Sequence, residues 1–438
     1  HEMPGLFRLQ QVSMICLVSA VVLLVAKPSW ADDDVNTRIE SLEQELLQLK
    51  EMLKTQSEVQ EETMDAIESQ NEVVRSIEQN TVGLKDTSIG GYAELNWANF
   101  DGDKKDEFDV QRFIIFLGHS FSDKTRMMSE IEFEHAQVKG GEDGGEVAME
   151  QAYIEHTIKD GLNMRAGLQI VPIGLINEYH EPPVFYGMER NNIETKIIPS
   201  TWREIGFGLN GKTMGGLEYF LGTTTTPDAS KFTNSSASSG FKKMRVSGKQ
   251  VTANDMGYYV GFNYKGIPGL KWGGTIWTGN TAQNGQGKGD DEELLANVDA
   301  PLTIWDLHAQ YDANDWKLSA LYAAGTLGDT AAINASASIA AGSDDAAPEE
   351  FSGWYVEAGY KGFMVGDYNV QPFARYADYN TQESVATGFI TNPNNADTVL
   401  TYGISWYLEP GVVLKLDHMD FDVNGGNDAT NIGIGWMF

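Results

Sequence analysis

From Val35 to Leu84, apolar residues recur at alternating spacings of three and four, running through Val35, Ile39, Leu42, Leu46, Leu49 and Leu53 and resuming at Ile67, Val74, Ile77 and Leu84. With Glu and Lys on the flanks, this heptad pattern predicts an α-helical coiled coil over 35–84. Its seam turns polar at Gln56, Gln60 and Thr63. Such layers bury little and act on register or oligomer state. The plainer alternative is a single amphipathic helix lying on the β region that follows, or a largely disordered segment.

At Gly83 the helical period stops, and from Ile89 apolar and polar residues alternate with period two, rich in Gly, aromatic and β-branched types. Alternating segments follow one another from 89–100 to 429–438, about sixteen in all, each near the roughly 9 to 11 residues that a tilted membrane-spanning strand needs. Their connections alternate in length. Phe121–Lys124, Lys159–Gly161, Lys212–Gly215, Gly266–Gly269, Asp312–Asp315, Phe363–Gly366 and Glu409–Gly411 are tight, whereas Val171–Thr201, Thr225–Asn254, Asn280–Ala300, Leu327–Phe351 and Asn380–Ala396 are long. An up-and-down barrel with both termini in the periplasm has this asymmetry, with short periplasmic turns and long extracellular loops. The expected fold class is therefore all-β: a transmembrane β-barrel of about 16 antiparallel strands over 89–438, preceded by a periplasmic coiled coil.

Strand faces follow the same phase. Ile432, Ile434, Trp436 and Phe438 share one side of the last strand, and Leu400, Tyr402, Ile404, Trp406 and Leu408 one side of an earlier one; these faces are expected to meet lipid. Tyr92, Trp97, Trp316, Tyr360 and Tyr407, near strand ends, are candidates for interfacial aromatic girdles.

The N-terminus sets the compartment. Met3–Ala31 reads as a secretory signal, with Arg8 ahead of an apolar core from Val12 to Ala26 and Ser29-Trp30-Ala31 as a cleavage site. The only cysteine, Cys16, lies in that core, so neither disulfides nor thiol chemistry are expected in the mature protein. No later apolar run reaches the roughly 18 to 20 residues of a membrane-spanning helix, which leaves a closed barrel as the means of crossing. Against 63 acidic side chains the chain has 31 basic ones, a net charge of −32. That balance argues against nucleic acid or an anionic surface as partner.

The stretch Gly167-Leu168-Gln169-Ile170-Val171-Pro172-Ile173-Gly174, followed by His180-Glu181-Pro182-Pro183, Glu189-Arg190-Asn191 and Ile197-Ile198-Pro199, resembles the phosphate-selective porin O/P superfamily, including its dicarboxylate-type channels with an N-terminal coiled coil. The resemblance implies a homotrimer in the outer membrane, in contact with lipid and lipopolysaccharide, through which small hydrophilic solutes diffuse. It places Val171–Thr201 as the third loop. A loop of that length is able to fold into a pore, and Pro172, Pro182, Pro183 and Pro199 stiffen it; an exposed flap is the alternative.

Charged side chains cannot face lipid at mid-depth without cost, so Glu130, Glu132 and Glu134 are expected in the lumen, with Gln151, Tyr153 and Glu155 beside them. Arg165, Arg375 and Lys415 are expected opposite. Glu178, His180, Glu181, Glu189 and Arg190 are the loop's contribution to a constriction, where opposed charges tune selectivity. Mutual pairing within the wall is the alternative role for these charges. The lysine and arginine lining of phosphate-selective members has no counterpart legible here, so a cation-leaning or weakly selective channel is the expectation. Asp101-Gly102-Asp103 with Asp106, and Glu142-Asp143, lack EF-hand spacing, and the histidines have no paired metal spacing; no cofactor is expected. No serine has a nucleophile context, so an enzyme is not expected. The remaining alternative is an anchor linking membrane to cell wall through the coiled coil.

Overall fold

A computed structural model describes residues 86–101, 104–137, 145–233, 237–285, 294–424 and 427–438. The expected signal and coiled coil lie outside the described residues. The first strands are β1 (Thr87–Phe100), β2 (Glu107–Ser122), β3 (Thr125–Glu134), β4 (Val147–Lys159), β5 (Leu162–Ile170) and β6 (Arg203–Lys212). Next come β7 (Leu217–Thr224), β8 (Gly257–Ile267), β9 (Leu270–Asn280), β10 (Pro301–Ala313) and β11 (Trp316–Leu327). The remainder are β12 (Pro348–Tyr360), β13 (Phe363–Val365), β14 (Tyr368–Val385), β15 (Ala396–Glu409), β16 (Val412–Phe421) and β17 (Ala429–Met437). Because β13 prolongs β12 along the same side of β14, the wall has 16 strands. Each pairs antiparallel with its neighbours.

The barrel closes where β17 meets β1, from Tyr92 opposite Met437 to Phe100 opposite Ala429. The Phe438 amide donates to the Gly91 carbonyl at 2.9 Å, and the Gly91 amide donates to the Phe438 carbonyl at 3.0 Å. A Cβ on Gly91 would lie 2.1 Å from the Ile114 carbonyl oxygen, so this seam requires glycine. Closure leaves no free edge, as strands in lipid demand.

The outer face is apolar. Leu400, Tyr402, Ile404 and Ile432 are exposed there together with Tyr258, Val260, Leu307 and Val356. Tyr92 and Tyr407 are exceptions to the girdle expectation. Tyr92 is fully buried, edge-on to His180 inside the barrel, and the Tyr407 hydroxyl donates to the Pro183 carbonyl at 2.9 Å. An inward partner, rather than position near a strand end, decides where each ring points.

Inside, one half of the barrel is filled. Trp277, Leu302, Ile304, Leu321, Phe351, Tyr355 and Val399 project from β9 to β15 and pack against Ile193, Ile197, Trp202, Phe232, Phe241 and Met244 from two loops. The first loop carries a 3-10 turn at Pro182–Val184 and a π turn at Ile193–Ile197, the second a 3-10 segment at Ala237–Met244. Alternation along a strand predicts a polar lumen. The inner wall is instead apolar where loops cover it, because burying those faces against one another removes them from water.

Candidate functional site

The loop between β5 and β6 is held from several strands. Asp306 on β10 accepts from the Gly174 amide at 3.2 Å, and the Thr275 hydroxyl on β9 donates to the Pro172 carbonyl at 2.7 Å. Lys317 on β11 donates to the Val184 carbonyl at 2.7 Å. Lys415 on β16 donates to the carbonyls of Phe185 and Gly187 at 2.9 and 2.7 Å. Nearby, Asp417 accepts from the Met188 amide at 2.7 Å. Arg375 on β14 bridges Glu357 at 3.1 Å and the carbonyls of Tyr186 and Glu189. Within the loop, the buried Glu194 carboxylate accepts from the amides of Leu175 and Ile176, the Asn191 side chain and the Tyr355 hydroxyl. Thus Arg375 and Lys415 do face inward, as their phase requires, but each is 2 % exposed and lies under the loop. Their charge is spent on backbone carbonyls rather than presented to an open passage.

On the other side of the barrel a charged cavity of about 410 Å³ remains. Glu94, Glu132, Glu134, Glu146, Glu150 and Glu189 line it, together with Arg112, Arg190, Arg203, Lys242 and Arg245. Some of these charges are paired. Arg112 contacts Glu94 at 2.7 Å and Glu132 at 3.4 Å, and Arg203 contacts Glu150 at 2.9 Å. Arg190 donates to the Thr201 hydroxyl at 3.0 Å, and Arg245 to the carbonyls of Pro199 and Thr201 at 2.8 and 2.6 Å. The Arg245 bonds tie the second loop to the first. Burial, then the neighbouring Arg245 and Arg190, bring Lys242 down to about 8.

Of the expected site residues, Glu132, Glu134, Glu189 and Arg190 meet in this cavity. Glu130 lies just behind it, buried with His180 and Glu150; Glu181 follows His180 in the chain, its Oε2 buried. Arg165 and Glu178 are elsewhere, in a second cavity near the short turns, where Arg165 pairs with Glu155 at 3.1 Å, Glu178 at 3.8 Å and the Tyr153 ring at 4.4 Å.

Arg112, Glu150, Arg203, Lys242 and Arg245 were not among the expected residues. For Arg112 a signal existed, since a mid-strand guanidinium belongs in the lumen. Glu150 is hidden by a β-bulge: Glu130 pairs with Gln151 and Ile131 with Met149, so Glu150 is the extra residue. Bulges re-aim side chains, and here Glu150 and Gln151 both point inward, which strict alternation forbids. Lys242 and Arg245 reach the cavity only because Phe241 and Met244 anchor their segment in the apolar half.

Residues 89–431 match the family of phosphate-selective porins O and P. This chain is a member of that family. Porin and barrel thus agree, and the porin sits in the outer membrane as a channel through which solutes pass by diffusion. A protein of Aquifex aeolicus (strain VF5) is 30% identical over 363 residues, 81% of this chain and 80% of that one. Among solved structures, the porin is similar to OmpF of Salmonella typhi in complex with daunomycin, at 14% identity, 80% and 97% coverage and a TM-score of 0.53. It is also similar to the outer membrane channel DcaP of Acinetobacter baumannii, at 11% identity, 80% and 97% coverage and a TM-score of 0.51. At such identities the likeness is one of fold.

Proposed function

We propose that this porin conducts small hydrophilic solutes through the charged cavity, with the loop 171–201 as its constriction and with weak charge selectivity. The observation that carries the reading is the lining itself, six carboxylates with five cationic groups around one cavity. Opposed charges at close quarters set a transverse field that orients polar solutes without excluding either sign of ion. An anchor linking membrane to cell wall needs no such passage. Channels in planar bilayers, with a reversal potential near zero in a salt gradient, test the proposal; absence of channels counts against it.

Selectivity is expected to depend on pH through Lys242. A base held near 8 is mostly charged at pH 7 and mostly neutral at pH 9, so the passage loses a positive charge over that range and cation preference rises. In Lys242→Met the change across the same range is expected to be smaller than in the wild type. The linkage has the matching sign. With its folded value below the ordinary 10.5, the charged lysine costs stability at neutral pH, and that cost fades as pH rises from about 8 towards 10.5.

The proposed assembly is a homotrimer, as the family resemblance implies, with the heptads of 35–84 as a periplasmic stalk released from a signal at Met3–Ala31 and with lipid and lipopolysaccharide around the outer face. A three-chain mass by sedimentation in detergent supports it, and a monomer contradicts it.

A further inference from the structure

A second conspicuous grouping lies behind the passage and shares only Glu150 with its lining. His180, from the loop between β5 and β6, meets Glu130 of β3 and Glu150 of β4 behind the cavity wall. His180 Nε2 lies 3.5 Å from Glu130 Oε1 and 3.4 Å from Glu150 Oε2. All three side chains are at most 2 % exposed, and none of these three atoms has a hydrogen-bond partner.

The rest of each group is fixed. His180 Nδ1 donates to the Asn177 carbonyl at 3.0 Å. A carbonyl only accepts, so Nδ1 carries a proton, and Nε2 is turned towards two carboxylates. Glu130 Oε2 accepts from the Gln151 amide at 2.7 Å, and Glu150 Oε1 accepts from Arg203 at 2.9 Å. Each ligand atom is thus oriented by a partner on its other atom, the arrangement that positions metal ligands. Two carboxylate oxygens and an imidazole nitrogen converging in a dry site repel one another unless a proton or a metal ion lies between them.

We propose that Glu130, Glu150 and His180 bind a Zn²⁺ ion that staples the loop to β3 and β4. Zn–N and Zn–O bonds of about 2.0 to 2.2 Å at tetrahedral angles separate neighbouring ligand atoms by roughly 3.4 Å, matching both His–Glu separations here. An imidazole with two carboxylates suits zinc better than calcium or magnesium, which take all-oxygen shells. The surrounding charge permits a dication. Arg203 offsets part of Glu150, and Arg190, whose Nη2 lies 3.5 Å from the His180 carbonyl, opposes the ion. The Glu181 carboxylate adjacent in the chain, its Oε2 buried, lies on the negative side of that balance. The fourth position falls to water or to the Tyr92 hydroxyl, which is buried without a partner.

A proton on Nε2 satisfies the same two carboxylates, so the experiment must tell the two cations apart. Full-length protein, stripped with chelator and refolded, is titrated with ZnCl₂ by calorimetry, and bound metal is counted after desalting. One zinc per chain is expected. His180→Gln and Glu130→Gln, each verified as a closed barrel by heat-modifiable gel mobility, are expected to retain less than a tenth of it. His135→Gln, which removes the exposed His135–Asp109 pair, is expected to retain all of it. Co²⁺ in place of zinc should give the intense visible absorption of a four-coordinate site in the wild type and in His135→Gln, and in neither ligand variant. Lack of stoichiometric zinc, zinc retained by both ligand variants, or an imidazole resonance showing Nε2 protonated at saturating zinc overturns the proposal. None of these readouts involves conduction, so they stand or fall apart from the channel reading.

Discussion

Trp202→Ala is expected to destabilise the porin by about 3–5 kcal/mol, the range for deleting a fully buried aromatic side chain, and to replace steady single-channel currents with noisy, larger ones. Trp202 is fully buried where the first loop enters β6. Its ring is edge-on to Trp277 at 5.0 Å and to Phe241 at 5.4 Å, so it joins the wall to the second loop. Its indole N–H donates to Glu204 at 3.1 Å, and its backbone amide to Asn177 at 3.0 Å. Truncation leaves both a cavity and a buried carboxylate short of a donor. The two loops that fill one half of the barrel then lose their common support. Trp305→Ala, on the partly exposed outer face, is the control. Unfolding followed by gel mobility, together with bilayer recordings, checks the pair, and equal effects from both substitutions contradict the role given to Trp202.

The second large effect is on selectivity. Lys242→Glu with Arg245→Glu changes the cavity by four units of charge while leaving the strands untouched. Two unit charges about 10 Å apart in water interact by roughly 0.4 kcal/mol. Four such changes therefore favour a cation by on the order of 1.6 kcal/mol and disfavour an anion by as much, an unscreened rise in cation over anion permeability on the order of a hundredfold. The swing is expected to be largest below about 0.1 M salt, where the Debye length exceeds about 10 Å. Reversal potentials measured at two ionic strengths check both the direction and the screening. An unchanged potential would mean that ions take a path away from Lys242 and Arg245.

Sequence alternation carried the wall further than the site. Strand phase, read from Ile432 to Phe438 and from Glu130 to Glu134, depends only on the pleat and on lipid outside, which is why it transfers directly to the barrel. What alternation could not reach was set by tertiary contact. The bulge at Glu150 costs the strand one residue of register, and period-two counting passes over it. Lys242 and Arg245 lie in a loop whose path is decided by Phe241 and Met244 finding Trp202. Counting pairs of histidines for metal spacing overlooked His180, because its partners are carboxylates on two strands far away in the chain. The weak basic character inferred from the whole sequence also concealed a local concentration. Five cationic groups from β2, β6 and two loops converge on a single cavity, and a local field outweighs net charge.

The family match settles that the chain is a porin, and the open question is where solutes pass and how they are sorted. The most direct measurement is single-channel recording of the purified protein in planar bilayers under a salt gradient, comparing wild type with Lys242→Glu/Arg245→Glu. Steady wild-type channels with a reversal potential near zero are expected, with a clear shift towards cation selectivity in the variant. Wild-type protein that forms no channels, or a strongly anion-selective channel that the double substitution leaves unaltered, would contradict this expectation.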